Sequence, residues 1–245
     1  MKAMILAAGL GTRLKPLTDH TPKAMIHING KPMIFYIIDS IRRSGIKEII
    51  INIHHLADQI VDYIENQSFK DINIEFSDER SELLDTGGGI NKASWFLNGN
   101  ESFLVHNVDI FTNLNLKDLI QNHNDSRALC TLAVSNRKTS RYLLFDDLLR
   151  LRGWKNIKTG EIKIPGSPEN KMIPLAFSGI QVLSPEIFHY FNNFALVNKR
   201  FSIIEVYLQL SGAKLIKGFN HTGGKWIDMG KKESYPLASG FFEDD

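Results

Sequence analysis

The sequence has a single cysteine, Cys130, among its 245 residues. One thiol cannot form an internal disulfide, so the sequence excludes a small scaffold held together by disulfide bonds. Cys130 lies in the apolar stretch ALCTLAV, which predicts a buried core residue rather than a nucleophile. Low cysteine use is typical of reducing compartments, and we expect a cytoplasmic location.

Long hydrophobic runs and a large net charge are also missing. No apolar run approaches the roughly 18 residues that a membrane span needs. The short apolar stretch at the N-terminus continues into GLGTR rather than into a signal-peptide cleavage site. The 29 basic residues nearly balance the 27 acidic ones, so the overall charge does not favour a nucleic-acid surface. We therefore expect neither a membrane nor a nucleic acid as a partner.

Strand-like and helix-like segments alternate over the first 140 residues. The β-branched run EIIINI is typical of a buried strand, whereas PMIFYIIDSIRRSG has helical periodicity between Pro32 and Gly45. This alternation predicts a Rossmann-like three-layer α/β/α fold with a mainly parallel mixed sheet. After residue 140 the pattern changes to short antiparallel strands followed by the long strand IPLAFSGIQVLS. The length suits a single domain, residues 1–245, with halves 1–140 and 141–245.

The segment AAGLGTRLKPLT directly follows the first predicted strand, MKAMILAAG. In open parallel sheets, ligands bind beyond the carboxyl ends of the strands. Gly9 and Gly11 have no side chains, so their backbone N–H groups can approach an anion closely. Arg13 and Lys23 add positive charge nearby. Together these residues predict a cradle for a triphosphate.

This loop has three other possible interpretations. A Walker A loop needs GxxxxGK followed by Ser or Thr, which is absent here. A dinucleotide-binding fingerprint needs GxGxxG, and GLGTRL has no third glycine, which argues against an NAD-dependent oxidoreductase. A plain connecting loop with solvated charges remains open on these six residues alone.

The longer pattern resembles the sugar-phosphate nucleotidyltransferases. GLGTRLKPLT and TPKAM are followed, in the order typical of that family, by DTGGGI, HNVDIF, FSGI and KWIDMG. Members of this family are enzymes of EC type 2.7.7, which join a nucleoside triphosphate to a sugar 1-phosphate and release pyrophosphate. The resemblance implies these two substrates as partners and Mg²⁺ as cofactor. It also implies that residues 1–140 form a nucleotide-binding half and residues 141–245 a sugar-binding half.

The resemblance assigns expected roles to individual residues. Arg13 and Lys23 are the expected catalytic residues, with Arg13 on the β- and γ-phosphates and Lys23 on the α-phosphate. Asp109, expected at the end of a strand, and Asp228 are the expected metal ligands. The base pocket is expected to include the loop SDERSELLDTGGG. The expected nucleotide-binding residues are Leu6, Ala7, Ala8, Gly9, Gly11, Thr12, Arg13, Glu79 and Gly87. The expected sugar-binding residues are Gly88, Asn107 and Gly179.

The choice of substrates is less constrained by the sequence. Within the family, the chain most resembles the N-acetylmuramic acid α-1-phosphate uridylyltransferases, which implies UTP and that sugar phosphate. Mannose-1-phosphate guanylyltransferases and choline-phosphate cytidylyltransferases are the alternatives. A Glu-Lys-Pro element whose lysine binds the sugar phosphate in many relatives is missing, and Lys155, Lys163 and Lys171 remain open as substitutes.

A non-catalytic role and the assembly state were also considered. A regulatory subunit that only binds nucleotide sugars is expected to lose at least one of Arg13, Lys23, Asp109 and Asp228. All four are present, so we expect an active enzyme. The sequence is compatible with a monomer or a small homo-oligomer.

Overall fold

Helices and strands alternate along the first half of the chain in the computed structural model, which describes residues 1–67, 69, 71–166, 171–195, 199–238 and 241. The strands are β1 Lys2–Leu6, β2 His27–Ile28, β3 Lys31–Pro32, β4 Glu48–Ile53, β5 Asn73–Asp78, β6 Phe103–Asn107, β7 Ile110–Thr112, β8 Cys130–Ser135, β9 Arg141–Phe145, β10 Leu151–Asn156, β11 Ile162–Lys163, β12 Ile173–Leu183, β13 Ile216–Asn220 and β14 Trp226–Asp228. The helices are α1 Met33–Arg43, α2 Ala57–Asn66, α3 Asp85–Lys92, α4 Ser94–Leu97, α5 Leu116–Ser126, α6 Ile187–Ala195, α7 Ile203–Leu210 and α8 Tyr235–Ala238. Short 3₁₀ helices cover Thr12–Leu14, Lys23–Met25 and Lys232–Ser234.

One ten-stranded sheet runs through both halves of the described chain. Its main path has the order β11-β10-β9-β12-β6-β1-β4-β5, and β8 and β13 join it at β12. Strands β6, β1, β4 and β5 are parallel, as are β8 and β13. Strand β12 is antiparallel to both β6 and β8, so β6 and β8 point the same way. The carboxyl ends of all six parallel strands therefore lie at one edge of the sheet.

Two apolar clusters cover the two faces of this sheet. On β4, Ile49 and Ile51 belong to the cluster under α1, α2 and α5, whereas Ile50 between them belongs to the cluster under α3, α6 and α7. This alternation follows from the two-residue period of a strand. Helices on both faces confirm the predicted three-layer α/β/α fold with a mixed sheet.

Two local predictions differ from the structure. The segment DTGGG was expected in a loop, but Asp85–Lys92 is helix α3, and its glycines are buried. Asp109 was expected at the end of a strand. Strand β6 ends at Asn107 instead, and Asp109 lies in the turn before β7, because β7 leaves the main sheet to pair with β14. The predicted helix after Pro32 is confirmed as α1.

Within the described ranges, no helix is long and apolar enough to cross a membrane.

Candidate active site

The residues predicted to act together lie at the sheet edge formed by the carboxyl ends of β1, β4, β5 and β6. A cleft of about 320 Å³ opens there. Seven of the predicted site residues line it. They are Leu6, Ala8, Gly9, Lys23, Glu79, Asn107 and Asp109. The structure therefore brings residues from β1 and the loop after it, from the 3₁₀ helix Lys23–Met25 and from the ends of β5 and β6 to one place.

The loop after β1 is held in shape by Asn52, at the end of β4. Asn52 Oδ1 accepts hydrogen bonds from the N–H groups of Ala7 at 2.7 Å and Ala8 at 3.3 Å. These two amides are therefore occupied within the protein. Gly9 faces open space, since a Cβ added there would meet nothing within 4 Å. An anion can therefore approach the backbone of this loop at Gly9.

Gly11 turns the chain into the 3₁₀ helix Thr12–Leu14. Its φ of +63° is in the left-handed region, which L side chains rarely adopt. A Cβ there would also lie 2.7 Å from Thr18 Cγ2. The Gly11 carbonyl accepts hydrogen bonds from Leu14 N–H at 2.8 Å and from the Thr18 hydroxyl at 2.9 Å. Gly11 and Thr12 therefore shape the loop that presents Arg13.

Asp109 and Asp228 lie next to each other across a small two-stranded sheet. Strand β14 pairs antiparallel with β7, so that Asp228 is opposite Ile110. The N–H of Met229 donates to the Asp109 carbonyl at 2.8 Å. These contacts bring two carboxylates together from distant parts of the sequence.

Gly230 leaves open the space that the two carboxylates face. A Cβ on Gly230 would lie 2.7 Å from Asp109 Oδ2, 2.9 Å from Asp228 Oδ1 and 2.8 Å from Arg13 Nη2. A side chain at position 230 would have to displace these three groups. The space is polar and is lined by oxygens of both acidic residues.

The two acidic residues are paired with the two predicted catalytic cations. Lys23 Nζ forms an ion pair and hydrogen bond with Asp109 Oδ2, and both side chains are nearly buried. Arg13 Nη1 lies 3.5 Å from Asp228 Oδ2, and the Arg13 side chain is 59% exposed. Lys231 Nζ lies 3.8 Å from the same oxygen. Lys23 is thus held in position, whereas Arg13 is free to reach a ligand from solvent.

The site around Gly230 fits a divalent cation with hard oxygen ligands. Mg²⁺ is commonly held by one or two carboxylates together with substrate phosphates and water. Asp109 and Asp228 supply two carboxylates at one point. No group of three or more metal-ligating side chains occurs in the part of the chain that the structure describes, so phosphates or water would complete the coordination.

The hydroxyl of Tyr235 is a further polar group beside Asp109. It is buried and has no hydrogen-bond partner among the described residues. Burial, with the nearby charge of Asp109, raises the pKa of Tyr235 to about 12. Tyr235 therefore stays neutral at physiological pH and can donate a hydrogen bond.

Glu79 lines the back of the cleft, and its side chain is fully buried. Its Oε1 accepts from Asn52 Nδ2 at 2.7 Å, and its Oε2 accepts from Leu84 N–H at 3.2 Å. Burial raises the pKa of this carboxyl, and the hydrogen bonds from Asn52 and Leu84 partly offset that effect. Through Asn52, Glu79 is connected to the Ala7 and Ala8 amides. Through these hydrogen bonds Glu79 supports Asn52, which holds the loop after β1.

The glycines of α3 admit another part of the chain. A Cβ on Gly87 would overlap the Phe201 ring, and one on Gly88 would overlap the Lys199 carbonyl. The Phe201 carbonyl accepts from Gly87 N–H at 2.9 Å. Neither glycine is among the residues that line the cleft. The close approach that they permit in this structure is that of the segment 199–201.

Gly179 and Asn107 contact each other on the other side of the cleft. Gly179 has a φ of +78°, and a Cβ there would lie 2.8 Å from Ile110 Cγ1 and 3.1 Å from Asn107 Nδ2. Gly179 lies within β12, where the register with β8 shifts between Phe177 and Gln181. This irregularity places Gly179 against Asn107 and next to the turn that bears Asp109.

Sequence analysis missed Asn52 and Arg200. Asn52 ends the apolar run EIIIN, and the rule that places functional groups at strand ends would have found it. Arg200 lines the cleft from the segment before α7, and no motif marks it. The residues Asp85 and Thr86, at the start of α3, line the cleft as well.

A nucleotidyl transferase family model matches residues 2–148 of the chain. The chain belongs to the nucleotidyl transferase family. The family predicted from the sequence is thereby confirmed.

Curated relatives differ in the substrates that their names state. The chain is 42% identical over 121 residues to an N-acetylmuramate alpha-1-phosphate uridylyltransferase of Neisseria meningitidis, a match covering 49% of this chain and 52% of the relative. It is 33% identical over 238 residues to a D-glycero-alpha-D-manno-heptose 1-phosphate guanylyltransferase of Campylobacter jejuni, which covers 96% of this chain and 97% of the relative. The match thus spans about half the length of the uridylyltransferase and nearly all of the guanylyltransferase.

Solved structures show the same fold. HddC from Yersinia pseudotuberculosis superposes with a TM-score of 0.76 at 25% identity and 99% coverage of both chains. A putative glucose-1-phosphate thymidylyltransferase from Bacillus anthracis superposes with a TM-score of 0.82 at 16% identity, covering 100% of this chain and 96% of that one.

Proposed function

We propose that this protein transfers a nucleotidyl group from a nucleoside triphosphate to a sugar 1-phosphate. The observation that carries the proposal is the convergence of Asp109, Asp228 and Arg13 on the space beside Gly230, with Lys23 paired to Asp109. Two carboxylates suit a metal–phosphate complex, and two cations suit the phosphates themselves.

In the proposed reaction, an oxygen of the sugar 1-phosphate attacks the α-phosphorus of the nucleotide. The bond from that phosphorus to the bridging oxygen of the β-phosphate breaks, and pyrophosphate leaves with the bonding electrons. Such a step depends mainly on positioning and charge stabilisation. The product is a nucleotide sugar in which the new bond joins the two phosphates.

Each cation then has a distinct role. Lys23, nearly buried and fixed by Asp109, stabilises negative charge on the α-phosphate in the transition state. Arg13, exposed and planar, holds the β- and γ-phosphates and stabilises the departing pyrophosphate. Leu6, Ala8 and Gly9 line the nucleotide side of the cleft.

Asp109 and Asp228 would hold Mg²⁺ in this site. The bound cation would neutralise phosphate charge and orient the triphosphate. Members of this enzyme family generally depend on a divalent metal, which supports the assignment. On the far side of the cleft, Asn107 and Gly179 would contact the sugar.

UTP and N-acetylmuramic acid 1-phosphate are the substrates that we propose first. Two curated uridylyltransferases named for this sugar phosphate, at 42% and 38% identity, support the choice. A guanylyl transfer to a different sugar 1-phosphate is the second candidate, because the relative matched over 96% of the chain is a guanylyltransferase. We also infer a cytoplasmic location, which the single buried Cys130 supports.

A substrate matrix tests the proposal. UTP, GTP, CTP, ATP and dTTP are each combined with a panel of sugar 1-phosphates and choline phosphate, and pyrophosphate release is measured with Mg²⁺. We expect the highest rate with UTP and N-acetylmuramic acid 1-phosphate. A highest rate with GTP would favour the second candidate, and no release with any pair would refute the proposed activity.

A further inference from the structure

A second set of polar side chains lies at the same sheet edge, outside the cleft lining described above. Arg137 follows the carboxyl end of β8, and His221 follows that of the neighbouring parallel strand β13. Ser178 lies on β12, and Trp226 begins β14, which ends at Asp228. The strand directions therefore place this set on the side of Gly179, away from the glycine loop after β1.

The guanidinium of Arg137 is held in one orientation. Its Cζ lies 3.7 Å from the centre of the Trp226 ring, and its Nη2 donates to the Phe177 carbonyl at 2.6 Å. Trp226 is fixed in turn, because its Nε1–H donates to the Ser178 carbonyl at 3.0 Å. Because this guanidinium is already stacked and hydrogen-bonded, it loses little further conformational freedom when it binds an anion.

One donor of this guanidinium is unused. Arg137 Nε is buried and has no hydrogen-bond partner among the described residues. Burial lowers the pKa of Arg137, and the nearby negative charge of Asp228 partly offsets this. Arginine nevertheless stays charged in proteins. A buried cationic donor without an acceptor is costly, and an anionic oxygen is the group that would satisfy it.

His221 does not supply the positive charge that would bind an anion here. Its Nε2 lies 2.8 Å from the Ser178 hydroxyl, and burial, together with the charge of Arg137, lowers its pKa. A neutral imidazole leaves Arg137 as the cation of this set.

Two of the three lysines that the sequence offered for a sugar phosphate lie near aromatic rings. Lys155 Nζ lies 5.6 Å from the centre of the Tyr142 ring, and Lys163 Nζ lies 5.6 Å from that of Trp154. Among the described residues, neither lysine forms an ion pair with Asp109 or Asp228. By contrast, Asp228 acts electrostatically on Arg137.

We propose that Arg137 binds the phosphate group of the sugar 1-phosphate, with its unused Nε as one donor. The proposal rests on the proposed function, since it places the second substrate on the Gly179 side of the metal site. The guanidinium then offers two adjacent N–H groups to two phosphate oxygens, the geometry that favours arginine over lysine.

The test measures binding of the panel of sugar 1-phosphates by isothermal titration calorimetry. Wild type is compared with Arg137→Met, Arg137→Lys and the matched control Arg141→Met, an exposed arginine at the start of β9. We expect Arg137→Met to weaken sugar-phosphate binding by about 10- to 100-fold, the range for a charge-assisted hydrogen bond. Arg137→Lys should recover part of this loss. Nucleotide binding, and all binding by Arg141→Met, should be unchanged.

A second measurement separates binding from positioning. If Arg137 acted only through Trp226 and Asp228, Arg137→Met would weaken Mn²⁺ binding, measured by electron paramagnetic resonance, and would leave sugar-phosphate affinity unchanged. That result overturns the proposal, as does the absence of sugar-phosphate binding to wild type. A wild type that binds a sugar phosphate but releases no pyrophosphate refutes the proposed function alone.

Discussion

The carboxylates of Asp109 and Asp228 face the same point beside Gly230, although they come from distant parts of the sequence. Their neighbourhood depends on the pairing of β7 with β14, a two-stranded sheet separate from the main one. Strand β7 follows the turn after β6, so the small sheet attaches the second carboxylate to the edge where the first one lies. The proposed metal site is thus assembled by a strand pairing between the two halves of the chain.

Asp109→Asn should abolish Mg²⁺-dependent pyrophosphate release. The amide has about the same size as the carboxylate, but it loses the charge that pairs with Lys23 and would bind the cation. The far-ultraviolet circular dichroism spectrum should stay that of the wild type. Unchanged turnover in a folded Asp109→Asn variant would refute the metal role of Asp109.

Lys23→Met should lower kcat by roughly 100-fold, because loss of one electrostatic contact in the transition state costs about 3 kcal/mol in comparable sites. Steady-state pyrophosphate release measures the effect. Lys15→Met is the matched control, since Lys15 is exposed and forms an ion pair with the exposed Asp19 at 3.1 Å. If both variants lose equally little activity, Lys23 is not a catalytic residue.

Gly230→Ala should inactivate the enzyme. The new methyl group would lie within 3 Å of Asp109 Oδ2, Asp228 Oδ1 and Arg13 Nη2 and would fill the space that the cation needs. Gly212→Ala is the control, because a Cβ there meets nothing within 4 Å. Activity and Mn²⁺ binding should both be lost in the first variant and kept in the second.

Asn52→Ala should weaken nucleotide binding and destabilise the fold. It removes the acceptor of the Ala7 and Ala8 amides and leaves the buried Glu79 carboxyl without its Asn52 donor. We expect a loss of about 2 kcal/mol or more in the free energy of unfolding and a higher KM for the nucleotide.

Asn52→Asp tests the same contacts by charge. It keeps an acceptor for Ala7 but puts a second carboxylate beside Glu79, whose pKa is already raised by burial. Two adjacent carboxylates raise the pKa of one of them further. The native state then binds more protons than the unfolded state, so the stability of this variant should fall as pH rises through that raised pKa. Urea titrations at a series of pH values measure it, and no added pH dependence relative to wild type would contradict the assigned contact.

The wild-type protein should lose stability in mild acid. Burial lowers the pKa of His106 and of His123 from 6.5 to about 4. Between these values the unfolded state binds more protons, so the free energy of unfolding falls as pH drops from 6.5 to 4. Each histidine contributes up to about 1.4 kcal/mol per pH unit. His106→Leu should show a shallower dependence in the same urea titrations, and an unchanged slope would contradict the contribution of His106.

The order of helices and strands follows from the sequence because local patterns suffice for it. Pro32 lies directly before α1, where its fixed φ suits the start of a helix, and the isoleucines of β4 pack alternately into the two apolar clusters. The glycine loop after β1 was likewise predictable, since its conformation depends on residues that lack or restrict side chains. Lys23 and Arg13 lie within or near that loop, so their proximity to it is also a local property.

Contacts between distant segments were decided only by the tertiary structure. Asn52 and Arg200 reach the cleft from separate segments. Gly87 packs against the Phe201 ring and does not face open space. The convergence of Asp109 and Asp228 needs β14 to leave the main sheet and pair with β7. Local sequence determines the backbone conformation of each strand. The strand that a short strand pairs with depends on which strand edges the rest of the fold brings near it.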